Sequence, residues 1–194
     1  MHVLRSASYR QMPWKNGGGT TTEIAVFPQS AMEGEFDWRV SMAVINEDGW
    51  FSEFLQIDRV LGILEGKGVY LSISGAENVE IASDVAPFGF PADAPTYARL
   101  IDGPVIDLNV MTRRDRFTCN VARLKSAVPM TWDLTAHTTL FLAYSASLHI
   151  HDGSDSVQLG PKDSVVFEGR GKAVRVVPND LAESYMIEFN ARDR

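Results

Sequence analysis

Apolar and polar residues alternate along FDWRVSMAVI, the stretch from residue 36 to residue 45. One set of side chains is Trp38, Val40, Met42 and Val44, and the other is Arg39, Ser41 and Ala43. A period of two predicts a β-strand with two different faces. The polar turn NEDG, Asn46 to Gly49, ends this strand.

Similar strand patterns recur along most of the chain. RVLGILEGKGVYLSISG predicts two strands that are joined by a turn from Glu65 to Gly68. Further strands are predicted from Glu23 to Phe27, Val79 to Ala82, Pro104 to Met111 and Phe117 to Arg123, and in TLFLAYSASLHIHDG, SVQLG, DSVVFEG, KAVRVVP and SYMIEFN.

No segment predicts a long amphipathic helix. SEFLQIDRVLGIL has some helical spacing, but Gly62 and the β-branched residues argue against a helix. The segment DVAPFGFPADAPTY, Asp84 to Tyr97, is rich in proline and alanine and predicts a surface loop. Many short strands between glycine, aspartate and proline turns predict an all-β sandwich or barrel.

A weak internal repeat accompanies this pattern. A shift of 77 residues aligns Leu71 with Leu148 and Ile73 with Ile150, each in a strand that runs into a turn. The match is short, and chance is the alternative explanation. If the repeat is real, it predicts two similar β units in tandem.

Composition and charge limit the classes of partner. The 194 residues suffice for one large domain or two small ones, and 25 acidic against 18 basic residues give a net charge of −7. This balance argues against nucleic acid and anionic membranes as partners. A single cysteine, Cys119, excludes an internal disulfide. Because the N-terminus lacks an apolar signal-peptide core and no segment approaches about 20 apolar residues, we expect a cytoplasmic protein.

The stretch PWKNGGGTTTEIAVF, residues 13 to 27, places three glycines after Trp14, Lys15 and Asn16. A nucleotide phosphate loop is rejected, because Lys15 precedes the glycines and the following residues are β-prone. Two interpretations remain open. Gly17, Gly18 and Gly19 form a turn into a strand, or their main-chain amides line the rim of an anion site.

Three segments carry a resemblance to a known family: PWKNGGGTTTEIAVFP, FDWRVSMAVINEDGWFSEFLQIDRVLGILEGKGVYLSI and DLNVMTRR. Together they resemble the HutD/Ves family over nearly the whole chain. The resemblance implies a bicupin, in which two cupin-like barrels pack in one globule, and we expect the units at residues 1–120 and 121–194. It also implies an association with bacterial histidine utilisation and a regulatory or small-molecule-binding role, without an established reaction.

The cupin resemblance allows a test for a metal. Many cupins hold a metal through G-x5-H-x-H-x3,4-E-x6-G. When Gly66 is taken as the last glycine, the glutamate position falls on Arg59, and the histidine positions fall on Ser52 and Phe54. These are not metal ligands, and an arginine attracts an anion instead. We therefore expect no metal and no cofactor.

LHIHDG offers two histidines one residue apart, His149 and His151. A metal site is one interpretation, but no glutamate follows at the required distance. The preferred interpretation is that Leu148 and Ile150 face the core and both histidines face outward. Cys119 has no histidine nearby in the sequence, and no acid and base pair supports a catalytic residue, so an enzyme is the less favoured class.

A polar set in the N-terminal half is more consistent. Arg39 and Ser41 share one face of their strand, Arg59 lies on another strand, and Asn109 alternates with Leu108 and Val110. This face is either exposed or directed into a barrel. In the second case two arginines suit an organic acid, because a guanidinium binds a carboxylate through paired N–H donors.

The leading hypothesis is a metal-free bicupin that binds a carboxylate-bearing metabolite, such as urocanate or N-formylglutamate, in a regulatory or buffering role. Its expected ligand-binding residues are Trp14, Lys15, Asn16, Gly17, Gly18, Gly19, Arg39, Ser41, Arg59 and Asn109. The alternatives are a metal-independent enzyme acting on a small organic acid and a protein-interaction module without a small ligand. A homodimer is compatible with exposed strands.

Overall fold

The computed structural model of the chain describes residues 1–14, 17–31 and 34–192. Its described part contains nineteen strands and a short 3₁₀ helix, Ser6–Ser8. The strands are β1 His2–Leu4, β2 Arg10–Pro13, β3 Gly19–Phe27, β4 Trp38–Ile45, β5 Gly49–Trp50, β6 Ile57–Glu65, β7 Gly68–Ile73, β8 Val79–Ala82, β9 Phe88–Pro91, β10 Thr96–Leu100, β11 Val105–Arg113, β12 Phe117–Ser126, β13 Met130–Leu134, β14 Thr138–Ala143, β15 Leu148–Asp152, β16 Asp155–Leu159, β17 Ser164–Glu168, β18 Lys172–Pro178 and β19 Ala182–Ala191. No helix of the described residues is long and apolar enough to cross a membrane.

The chain forms two compact units. The N-terminal unit is Arg10–Phe117, and the C-terminal unit combines Met1–Tyr9 with the residues from Thr118 onward. The units expected at residues 1–120 and 121–194 stay a prediction. The first nine residues join the C-terminal unit because β1 pairs with β17, which places His2 opposite Val166.

The N-terminal unit contains two antiparallel sheets. The larger has the strand order β2-β3-β4-β11-β6-β9, and the smaller has the order β5-β10-β7-β8. Its core lies between them, because Leu61 and Ile63 of the larger sheet pack with Val69 and Leu71 of the smaller one. This double-sheet arrangement is a jelly roll.

The C-terminal unit repeats this order. Its sheets run β1-β17-β14-β19-β12 and β13-β18-β15-β16. The strands β4 to β11 thus correspond one by one to β12 to β19, and β7 occupies the same place as β15. The predicted repeat, which aligned Leu71 with Leu148, is confirmed, because these residues lie in β7 and β15.

One predicted loop is wrong. The segment from Asp84 to Tyr97 contains the strand β9 and the start of β10. Phe90 and Ala92 are buried there, and Thr96 is only 1% exposed. The segment pairs with β6 and β7, so burial and cross-strand hydrogen bonds overcome its proline-rich composition. The absence of a helix around β6 is confirmed, because Ile57–Glu65 is a strand.

Candidate functional site

The candidate site lies on one face of the larger sheet of the N-terminal unit. Asn109 of β11 lies opposite Ser41 of β4 and Leu61 of β6. Two residues further along β11, Met111 lies opposite both Arg39 of β4 and Arg59 of β6. Because side chains two residues apart share a face, the register places these polar residues on the same side of the sheet.

This face is the interior one. Leu61 is fully buried and packs with Leu71 and Ile73 of the smaller sheet. Arg39, Ser41, Arg59 and Asn109 therefore lie on the strand face that looks into the jelly roll. The structure brings together the four strand residues that the sequence pattern suggested, although the sequence left their direction open.

Arg59 is the most unusual member of this set. Its side chain is buried, with 3% relative exposure. Its Nη2 donates to the carbonyl oxygen of Ser52 at 3.0 Å, while its Nε has no hydrogen-bond partner among the described residues. The guanidinium carbon lies 4.9 Å from the ring centre of Phe51 and 5.8 Å from those of Phe54 and Phe90. Burial lowers the pKa of Arg59 to about 10, against the opposing effect of Asp107.

Arg39 is in a different situation. Its Nε donates to a carboxylate oxygen of Glu23 at 2.7 Å, and this ion pair is partly buried. Glu23 faces Ser41 across the β3–β4 pair. The sequence pattern does not predict Glu23 as part of the site, because Glu23 and Arg39 are 16 residues apart and on different strands. The Glu23 carboxylate already neutralises much of the Arg39 charge.

Asp107 is a buried carboxyl that was also not among the predicted site residues. It is 1% exposed and accepts a hydrogen bond from the Ala43 amide at 3.0 Å. Burial raises the pKa of Asp107 to about 7, although the positive charge of Arg59 opposes the increase. A signal was available, since Asp107 precedes Asn109 by two residues and shares its face.

Two further groups complete this face. Ser41 is 2% exposed. The side-chain oxygen of Asn109 is buried and lacks a hydrogen-bond partner in the part of the chain that the structure describes. Buried polar atoms normally have a partner, because an unsatisfied one costs about 1–3 kcal/mol. Arg59 and Asn109 thus present unused hydrogen-bonding capacity on the same interior face.

The glycine-rich stretch has a structural explanation within the chain. A Cβ atom on Gly19 would lie 2.1 Å from the carbonyl oxygen of Val44 and 3.0 Å from the Trp14 ring. Gly17 has a φ of +77°, and its amide donates to the Trp14 carbonyl oxygen at 3.1 Å. Trp14 packs on the core and donates from its Nε1 to the Thr21 hydroxyl at 2.8 Å.

These contacts use groups of Gly17, Gly18 and Gly19, the three glycines that were expected to line the rim of a ligand site. The space beside Gly19 is filled by the protein itself, and the Gly17 amide is used in a turn. Gly18 is buried, and its carbonyl oxygen accepts from the Asn46 amide at 3.0 Å. Lys15 and Asn16, which were also expected to bind a ligand, lie outside the described residues.

The cupin metal positions carry no ligand set here. In the N-terminal unit they fall on Ser52, Phe54 and Arg59, where the guanidinium lies among phenylalanine rings. Within residues 1–14, 17–31 and 34–192, no group of three or more His, Cys, Asp or Glu side chains could hold a metal. The outward direction of His149 and His151 is confirmed, because Leu148 and Ile150 belong to the core.

Two jelly-roll units with the same strand order define a bicupin. The chain matches the crystal structure of vicilin from Corylus avellana (hazelnut) with a TM-score of 0.67 at 9% identity, covering 98% of this chain and 85% of that one. At this identity the match concerns the fold alone.

The chain belongs to the HutD family, whose model matches residues 6–182. It is similar to the crystal structure of a conserved protein of unknown function from Pseudomonas aeruginosa PAO1, with a TM-score of 0.91 and 31% identity over 97% of this chain and 98% of that one. It also matches HutD from Pseudomonas fluorescens SBW25, with a TM-score of 0.82 and 29% identity over 98% of each chain. A 21.2 kDa protein from the hutC 3′ region of Pseudomonas putida is 30% identical over 172 residues, 87% of each protein.

Proposed function

We propose that the N-terminal unit binds a small carboxylate-bearing metabolite on its interior face. Arg59 binds the carboxylate, and Asn109 and Ser41 bind polar groups beside it. The phenylalanine rings around Arg59 contact the apolar part of the ligand. Arg39 contributes less than the sequence pattern suggested, because Glu23 already neutralises it.

The observation that carries this proposal is the unused donor of a buried arginine. Taking a guanidinium out of water is costly, and the cost is recovered when its N–H groups meet an anion. Arg59 Nε has no partner among the described residues, and its Nη2 bonds only a neutral carbonyl oxygen. A ligand carboxylate accepts from a guanidinium through two parallel N–H bonds, which this arginine can supply.

Membership of the HutD family suggests histidine utilisation as the biological context. Urocanate and N-formylglutamate are then the first candidate ligands, because each combines a carboxylate with a polar or planar group. Binding would buffer the free concentration of the metabolite or report it to a partner. A cytoplasmic location is part of this proposal, since such metabolites are handled inside the cell.

Isothermal titration calorimetry with urocanate, N-formylglutamate and formate tests the proposal. Formate is included because the HutD structure from P. fluorescens SBW25 is that of a formate condition. We expect saturable binding of at least one acid, and loss of about 2 kcal/mol or more in Arg59→Ala, because a charged hydrogen bond is removed.

Arg99 provides the matched control. Its guanidinium also lies over an aromatic ring, 5.0 Å from the centre of Tyr70, but its side chain is exposed. Arg99→Ala should leave the affinity for the acid unchanged. The absence of saturable heat for all three acids, or equal affinity of Arg59→Ala and the unmodified protein, would contradict the proposal.

A second candidate function is a metal-independent enzyme that acts on a small organic acid. Asp107 favours it, because a carboxyl with a pKa of about 7 can donate and accept a proton near neutral pH. Incubation of each acid with the protein, followed by proton NMR, tests for turnover. Turnover that is lost in Asp107→Asn while binding persists would support the enzyme, and unchanged spectra would leave binding as the function.

A further inference from the structure

The C-terminal unit has its own polar group at the place that corresponds to Arg59. In the N-terminal unit, Arg59 lies opposite Met111 and Phe90. In the C-terminal unit, Thr139 of β14 lies opposite Phe167 of β17. Across the other side of β14, Thr139 faces Glu188 of β19. At these corresponding places the C-terminal unit thus has Thr139 where the N-terminal unit has Arg59, and Glu188 where it has Met111.

Thr139 points into the C-terminal jelly roll. It is two residues from Phe141 and four from Ala143, and both belong to the core of that unit. Its side chain is 99% buried, as its 1% relative exposure shows. Its hydroxyl oxygen has no hydrogen-bond partner within the described residues.

A second unsatisfied group lies on the opposing sheet. Trp132 of β13 packs against the same core and lies opposite the core residue Val174. Its indole Nε1 is buried and, in the described part of the chain, has no acceptor. An indole N–H is a donor only, so it can be satisfied only by an acceptor that the protein does not provide.

The carboxylate of Glu188, which lies opposite Thr139, adds a hydrogen-bond acceptor beside these two groups. It accepts from the Asn120 amide at 3.2 Å and from the Thr135 hydroxyl at 3.4 Å. Both bonds are long and come from neutral donors, so the carboxylate retains capacity for a stronger donor. Lys172, which lies 5.2 Å from the ring centre of Phe167, is already paired with Asp152 at 2.6 Å.

A surface depression lies beside these residues, although none of the three lines it. A depression of about 550 Å³ is lined by residues that include Leu134, Thr135 and Lys172. Leu134 belongs to the core that Trp132 contacts, and Thr135 bonds Glu188. The depression thus borders the residues that surround the unsatisfied donors.

We propose that Thr139, Trp132 and Glu188 form a second ligand site, named the Thr139 site, in the C-terminal unit. It takes a small neutral or cationic molecule that combines an oxygen acceptor with an N–H or O–H donor, as a primary amide does. The acceptor bonds the Trp132 indole and the Thr139 hydroxyl, and the donor bonds Glu188. Glu188 lies directly opposite Thr139, so its carboxylate is the charge next to the bound molecule and disfavours anions.

Acetamide and acetate test this preference, since they have the same shape and differ in charge and in the N–H donor. Nitrogen–proton NMR of the four tryptophan indoles follows the titration, and Trp132→Phe assigns the relevant resonance. We expect acetamide to move the Trp132 resonance saturably and acetate to leave it in place. Thr139→Val should weaken acetamide binding about fivefold, because one hydrogen bond is lost.

Thr131→Val is the matched control, because it makes the same substitution on the exposed face of the strand that carries Trp132. It should not change the titration. Glu188→Ala, at a half-buried position, provides a second variant if Thr139→Val fails to fold, and it should also weaken acetamide binding. A non-saturating response to acetamide, equal responses to both probes, or unchanged affinity in Thr139→Val or Glu188→Ala would overturn the proposal.

Discussion

The buried carboxyl of Asp107 makes the stability of the protein depend on pH in an uncommon direction. Burial raises its pKa from the ordinary value of 3.8 to about 7. The folded protein therefore binds a proton between these pH values that the unfolded chain has released. The free energy of unfolding must fall as the pH rises through this range, and the fall is complete above pH 7.

The magnitude follows from the two pKa values. Each pKa unit corresponds to about 1.4 kcal/mol, so the difference between 3.8 and about 7 amounts to about 4 kcal/mol. Asp107→Asn retains an oxygen that can accept from the Ala43 amide but removes the titration. The variant should match the unmodified protein near pH 4 and exceed its free energy of unfolding by up to about 4 kcal/mol near pH 8.

Urea denaturation followed by tryptophan fluorescence at a series of pH values measures this difference. Asp102→Asn serves as the control, because Asp102 is an exposed aspartate of the same unit. Its substitution should give the same difference from the unmodified protein at both ends of the range. If the difference for Asp107→Asn does not grow between pH 4 and pH 8, the carboxyl is not held in the environment that the structure gives it.

Three further predictions use the same unit. Arg59→Met removes the positive charge that opposes the pKa increase of Asp107, so the fall in the free energy of unfolding should extend to higher pH. A shift of this fall to lower pH would contradict the electrostatic interaction between Arg59 and Asp107. Gly19→Ala should lower the free energy of unfolding by at least about 3 kcal/mol in urea denaturation, since its Cβ would lie 2.1 Å from a backbone oxygen. Gly17→Ala, in open space at a φ of +77°, should lower it by about 1 kcal/mol. Similar losses for the two variants would refute this prediction. Leu61→Ala, at a fully buried position, should lower the free energy of unfolding by about 2–5 kcal/mol, and a cost below about 1 kcal/mol would show that Leu61 is not in the core.

Much of the local structure was predictable because its causes are local. Alternation over residues 36–45 predicted β4, and glycine and aspartate turns marked its end. The two faces of each strand followed from the same alternation, which is why Leu148 and Ile150 could be placed in the core and both histidines outside. The resemblance to HutD extended these local predictions to the bicupin fold.

The proline-rich segment from residue 84 to residue 97 failed for the opposite reason. Its composition favours a loop, but its strands are stabilised by pairing with β6 and β7, which lie elsewhere in the sequence. The pairing of β1 with β17 likewise joins segments that are more than 150 residues apart. Local patterns carry no information about such partners.

The sequence by itself determined most of the strands, their alternating faces and the presence of arginine and asparagine side chains that can bind an anion. Only the tertiary structure decided which of those side chains are paired. Arg39 meets Glu23 across neighbouring strands, and Asp107 meets the Ala43 amide 64 residues away. Period-two alternation is a property of a single strand. Burial and charge compensation arise only when strands that are distant in the sequence come into register. For this reason the assembled sheet alone sets the pKa of Asp107 and leaves Arg59 with an unused hydrogen-bond donor.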